Sequence, residues 1–130
     1  MNFTSLDTNV VLRLILNDVP EQSTRAQLFV AGSPCYVTDV VVSEVVFVLE
    51  RVYRLERSRI CRSLASFFRL ETVAYNEPLI RKVLAMYLAS RPLSFADCYS
   101  AAEAGLYKNE LVTFDRALIR KGGSHVKEPK

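Results

Sequence analysis

Phe3-Thr4-Ser5-Leu6-Asp7-Thr8-Asn9-Val10-Val11-Leu12 opens the chain with a short extended segment, three polar residues, and then an apolar run. Asp, Thr and Asn cap helices, because their side-chain oxygens accept the backbone N–H groups orphaned in a first turn. The stretch therefore predicts a strand feeding a helix over Val10 to Leu16, with Asp7 at the strand's carboxyl end. Outward from it the same alternation recurs. Asn17-Asp18-Val19-Pro20 punctuates, Glu21 to Val30 reads as a second helix, and Gly32-Ser33-Pro34 stops it. Cys35 to Thr38 is a second strand, and Asp39 is expected to cap a long helix running to about Tyr53.

Farther on, Ile60, Leu64, Phe67 and Phe68 share one face of a helix over about Glu56 to Phe68, and Leu70 to Ala74 is a third strand. Asn76 is read as the cap of a helix that continues to about Ala89, where Arg91-Pro92 ends it. Ser94 opens another helix reaching about Tyr107, Leu111 to Thr113 is a fourth strand, and Asp115 to Lys121 a short helix. After Gly122-Gly123, Val126 marks the remnant of a fifth strand.

Short strands alternating with helices imply parallel pairing with right-handed crossovers, since a parallel connection must travel back across the sheet face. The expected fold class is α/β, a three-layer α/β/α sandwich with a short central parallel sheet of four to five strands, and residues 1–130 are expected to form a single domain. In such sheets ligands bind beyond the carboxyl ends of the strands. Asp7 and Asp115 fall at or just after strand ends, Glu44 on the first turns of a helix that follows a strand, and Asp97 at a helix start. These four acids are expected to converge at one edge.

Composition removes most other chemistries. Half of the 130 residues are hydrophobic, enough for a buried core and against disorder. The strongest apolar run, Val40 to Leu49, is interrupted by Ser43 and Glu44 and falls far short of the roughly 20 residues a membrane span needs. With no basic residue before Asp7, a signal peptide is not expected, and the protein is read as cytoplasmic. His125 is the only histidine and lies near two glycines in the tail, which rules out a triad needing a histidine base. Cys35, Cys61 and Cys98 are odd in number and far apart, and are read as reduced thiols rather than a disulfide or zinc set. What remains is carboxylates, hydroxyls and amides. Such an all-oxygen set suits a hard cation such as Mg²⁺ or Mn²⁺, which activates a bound water without any side-chain nucleophile.

Each acid also has an ordinary structural explanation: Asp7 and Asp115 as N-caps, Ser94-Phe95-Ala96-Asp97 as a capping box, and Glu44 as an exposed helix acid. For Glu44 the surrounding Val40 to Leu49 run argues otherwise, since a charge on a mostly buried helix is costly without a partner. Net charge is only +3, but six arginines (51, 54, 57, 59, 62 and 69) against Glu56 alone make the 51–69 segment a concentrated positive field.

Leu6-Asp7-Thr8-Asn9-Val10-Val11-Leu12, Val41-Val42-Ser43-Glu44-Val45-Val46-Phe47, Phe95-Ala96-Asp97-Cys98-Tyr99 and Val112-Thr113-Phe114-Asp115-Arg116 together resemble the PIN-domain family, specifically its toxin-type ribonucleases of the VapC kind. The resemblance spans essentially the whole chain. It implies that Asp7, Glu44, Asp97 and Asp115 are the catalytic acids, with Asp7 and Asp97 as direct metal ligands, and that Asn9 and Thr113 support them through hydrogen bonds. It further implies an RNA substrate, often a transfer RNA, a cognate antitoxin protein and a homodimer. Arg51, Arg54, Arg57, Arg59 and Arg62 could contact RNA or the antitoxin. Cys98 and Tyr99 depart from the smaller residues usual at those positions.

Two other phosphoryl-transfer families fit less well. Asn9 stands where a haloacid dehalogenase carries its second aspartate, and Asp7 lacks the acidic neighbour a receiver domain requires. A PIN-like module that binds RNA or protein without cutting is the alternative from another class.

Overall fold

The computed structural model describes residues 2–130. The chain divides into two compact units, residues 1–76 and 77–130. The fold is α/β, and every strand pairing is parallel.

In the first unit β1 (Thr4–Ser5), β2 (Cys35–Val37) and β3 (Val73–Tyr75) form a sheet in the order β1-β2-β3. Thr4 pairs with Cys35, and Cys35 with Val73. Helices α1 (Thr8–Leu16) and α2 (Pro20–Gly32) link β1 to β2, while α3 (Asp39–Arg51) and α4 (Arg57–Phe67) link β2 to β3. The break between α1 and α2 works as read: Asn17 takes the left-handed conformation at φ 52° and its N–H returns to Arg13 O, a C-cap that asparagine tolerates. Pro20 then starts α2, where its missing N–H costs nothing.

Of the boundaries that move from their expected places, two have a visible cause. Thr38, not Asp39, caps α3, its Oγ1 accepting from Val41 N at 3.2 Å, while the Asp39 carboxylate accepts instead from Asn76 Nδ2 at 3.1 Å. The third strand begins at Val73 rather than Leu70, because Arg69 N and Leu70 N close tight turns onto Ser66 O and Phe67 O and so prolong the end of α4.

The core of this unit is the inward face of α3 (Val42, Val45, Val46 and Leu49) against Ile60 and Leu64 of α4 and Val11 and Leu12 of α1. Burial of each such side chain is worth about 1.5–3 kcal/mol. The opposite face of α3 is solvent-exposed, and Glu44 lies on it between Val40 and Phe47. The expectation of a mostly buried helix around Glu44 is therefore corrected: the 3.6-residue period puts positions 42, 45, 46 and 49 inside and 40, 44 and 47 outside.

The second unit holds α5 (Glu77–Ala89), α6 (Phe95–Leu106), β4 (Leu111–Val112), α7 (Arg116–Lys121) and β5 (Val126–Lys127). Helices α5 and α6 pack through Leu79, Ile80, Val83 and Tyr87, with the Tyr87 ring edge-on to Phe95 at 5.8 Å. The fifth strand expected around Val126 exists and pairs with β4, Leu111 opposite Val126. Its approach depends on Gly122, where a Cβ would lie 2.6 Å from Leu118 O and 2.8 Å from Val126 Cγ2. At Gly123, φ is +116° and a Cβ would meet the His125 ring at 2.9 Å. Five strands are thus present among the described residues, hydrogen-bonded as sets of three and two.

Candidate functional site

The β1–α1 junction and the exposed face of α3 bring two of the four acids beside each other. Asp7 is the N-cap of α1, extended at φ −80°, and its Oδ1 accepts from Thr8 N at 2.8 Å. Thr8 Oγ1 in turn donates to Glu44 Oε1 at 3.1 Å, 36 residues along the chain. Asp7, Thr8 and Glu44 therefore form a short connected series, in which one residue binds both carboxylates. Thr8 carries no acid or base function and was not singled out from sequence; its signal, adjacency to Asp7, becomes informative only once α3 is laid against α1.

In the second unit Asp97 completes a capping box on α6. Ser94 Oγ accepts from Asp97 N at 3.0 Å, and Asp97 Oδ2 accepts from Ser94 N at 3.2 Å. Asp115 caps α7, its Oδ1 accepting from Leu118 N at 3.0 Å, and its own N–H donates to Thr113 Oγ1 at 3.0 Å. Thr113 thus holds the backbone that aims Asp115, while Thr113 N is anchored to Lys127 O across the β4–β5 pair. Asn9 lies on α1 two residues past Asp7 and lines a surface groove with it.

The capping explanations hold for Asp7, Asp97 and Asp115, yet each cap employs one carboxylate oxygen. The second oxygen of each makes no hydrogen bond among the described residues, and none of the four acids takes part in an ion pair there. Negative charge at these first turns is also favoured by the helix dipole. Among the described residues no three histidine, cysteine or acidic side chains are grouped closely enough to hold a metal between them. The donors are nevertheless of the right chemistry for Mg²⁺, which is characteristically held by one or two carboxylates and retains several waters.

The arginine segment is less uniform than the sequence suggests. Arg51 ends α3 and stacks over the Phe47 ring at 5.6 Å, Arg54 sits in the following turn at φ 55°, and Arg57 is largely buried, 3.9 Å from Glu50. Arg59 and Arg62 are exposed on α4. Cationic surface therefore comes from Arg51, Arg54, Arg59, Arg62 and Arg69, all exposed, whereas Arg57 joins α4 to α3.

Among the described residues Cys35, Cys61 and Cys98 form no disulfide; Cys35 and Cys98 are buried and Cys61 is half-buried. Burial pushes the Cys35 thiol up in pKa; Cys61 is raised by burial as well, with the neighbouring Arg57 opposing it. Both are thereby poor nucleophiles at neutral pH. His125, next to the two glycines of the tail, has its Nε2 2.7 Å from Ala101 O and so ties the β5 approach to α6.

The PIN domain family matches residues 5–124 of the chain. The chain belongs to the PIN domain family. It is similar to a VapC ribonuclease of Aquifex aeolicus (strain VF5), 28% identical over 123 residues and covering 90% of each chain. The match to the PIN domain family takes in Asp7, Glu44, Asp97 and Asp115, two from each unit. No helix among the described residues is long and apolar enough to cross a membrane.

Proposed function

We propose that this PIN domain is a Mg²⁺- or Mn²⁺-dependent endoribonuclease of the VapC kind, the toxin of a toxin–antitoxin pair. The observation that carries the reading is that Asp7, Asp97 and Asp115 each have a carboxylate oxygen left over after capping, within a chain similar over 90% of its length to a VapC ribonuclease. Asp7 and Asp97 are assigned as metal ligands and Glu44 and Asp115 as the further acids of the reaction. When bound, a divalent cation supplies an acidified water and charge neutralisation at the phosphate.

The chain's own contribution is orientation. Thr8 N fixes the Asp7 carboxylate through Oδ1, and the Thr8 hydroxyl steadies Glu44. Ser94 N and Leu118 N do the same for Asp97 and Asp115. Such anchoring of acids by neighbouring donors limits the reorganisation needed when substrate arrives. Partners on this reading are RNA, with transfer RNA a candidate, a cognate antitoxin, and a second copy of the chain in a homodimer; the place of action is the cytoplasm.

The test is cleavage of an RNA panel by purified protein. Cutting should require added Mg²⁺ or Mn²⁺, stop with EDTA, resume when Mg²⁺ is restored in excess, and be poorly supported by Ca²⁺, whose looser coordination places water badly. Undiminished cutting in EDTA would overturn the metal mechanism. Metal-stimulated RNA binding without cutting would favour the non-catalytic alternative.

A further inference from the structure

Beside Asp7 the first unit carries a groove of about 660 Å³ between β1, α1 and α2, a volume in the range of small-molecule sites, about 300–1,000 Å³. One wall is Asp7, Asn9 and Arg13; the other is a single face of α2, on which Gln22, Arg25 and Phe29 recur at helical spacing. From Gln22 to Phe29 the helix rises about 10 Å at 1.5 Å per residue, enough for one nucleotide with its flanking phosphate.

Two features of the α2 wall are open to a ligand, and Arg13 stands on the wall opposite. Phe29 is an aromatic ring left 45% exposed rather than packed into the core. Among the described residues Arg25 is paired only with Glu21, at 4.0 Å, both side chains being largely solvated, so the pair is weak and readily exchanged for a phosphate. Arg13 is mostly buried, and its Nε, 3.4 Å from Asp18 Oδ1 without hydrogen-bond geometry, is a buried donor with no hydrogen bond.

Resting on the ribonuclease reading, we infer that this groove is the subsite for a nucleotide flanking the cleaved phosphodiester. The base stacks on Phe29, Arg25 pairs with the adjoining phosphate, and Gln22 and Asn9 face the base edge. Stacking and a cation together match single-stranded RNA recognition, in which every base offers a π-face and the backbone offers charge. An acidic peptide would satisfy the arginines but leave the aromatic ring and the two amides without a role. Continuity with Asp7 places the nucleotide next to an assigned acid.

The experiment is single-turnover cleavage of an RNA oligonucleotide by the full chain in excess, separating half-saturation from maximal rate, for wild type, Phe29→Ala, Phe29→Tyr and Arg25→Gln. Thermal unfolding of each variant is measured alongside. Phe29→Ala should raise half-saturation about tenfold with the maximal rate within about twofold, and Phe29→Tyr should restore it. An abasic site next to the cut should weaken wild type by a similar factor and Phe29→Ala hardly further, as a shared interaction requires. Wild-type half-saturation in both Phe29→Ala and Arg25→Gln, with wild type cutting normally, overturns this subsite and leaves the nuclease reading standing. Loss confined to binding of a protein partner overturns it in favour of a protein-docking groove. If wild type neither binds nor cuts RNA, the nuclease reading fails and the subsite with it.

Discussion

Asp97 has two roles to separate, as half of a capping box and as an assigned metal ligand, and the geometry provides the means. Ser94→Ala removes the oxygen that accepts from Asp97 N at 3.0 Å but leaves the carboxylate in place; such a loss costs about 1 kcal/mol. Asp97→Asn keeps an oxygen able to accept from Ser94 N, now at 3.2 Å, but removes one negative charge from the first turn of α6, worth roughly 0.3–1 kcal/mol. For a chain of this size 1 kcal/mol corresponds to a shift in Tm of about 3 °C. The two variants should therefore unfold within a few degrees of each other and of wild type.

Their activities should diverge. Asp97→Asn should lose at least roughly a hundredfold in RNA cleavage, since a ligand matters more than an outer partner, whose removal typically costs 10–100-fold. Ser94→Ala should retain activity within about tenfold. Circular-dichroism melting beside cleavage at a temperature 15–20 °C below the lower Tm makes the comparison. Near-wild-type cleavage by Asp97→Asn, or equal losses in the two variants, would show that Asp97 is only a cap.

The remaining predictions concern packing, charge and assembly. Gly122→Ala should destabilise by about 1–3 kcal/mol, because its Cβ meets a backbone carbonyl that cannot move aside as a side chain could; an unchanged Tm would refute the close approach of β5. Arg59→Gln with Arg62→Gln should weaken binding of RNA or antitoxin and flatten its dependence on salt, with little effect on single-turnover chemistry at saturation; identical salt series for variant and wild type would make α4 a solvated face only. A homodimer should be visible in sedimentation at tens of micromolar, with Val40 and Phe47, both exposed on α3, as the apolar surface to probe by substitution; a monomeric mass throughout that range counts against it.

The apolar residues of α3 and α5 are divided between the core and the surface. Within Val40 to Leu49 and Ile80 to Leu88, the core takes Val42, Val45, Val46, Leu49, Ile80, Val83 and Tyr87, leaving Val40, Phe47 and Leu88 outside. Counting hydrophobic residues along a helix cannot divide them between faces that are both partly apolar, because that division depends on what packs against each face.

By itself the sequence determined the order of strands and helices, their parallel pairing, and the placement of Asp7, Asp97 and Asp115 at element starts. These are local properties: capping, period and chain breaks act within a few residues, so Asn17, Pro20 and Ser94 could be read directly. Only the tertiary structure decided that Thr8 reaches Glu44, that Asp39 serves Asn76 rather than its own helix, that Arg57 binds Glu50 while Arg59 and Arg62 face solvent, and that His125 ties down the last strand. Each of those joins residues that the chain folds together from separate elements, and a side chain's partner there depends on the relative placement of two helices or a helix and a strand. The groove beside Asp7 is of the same kind, since its two walls come from opposite sides of the Asn17–Pro20 break.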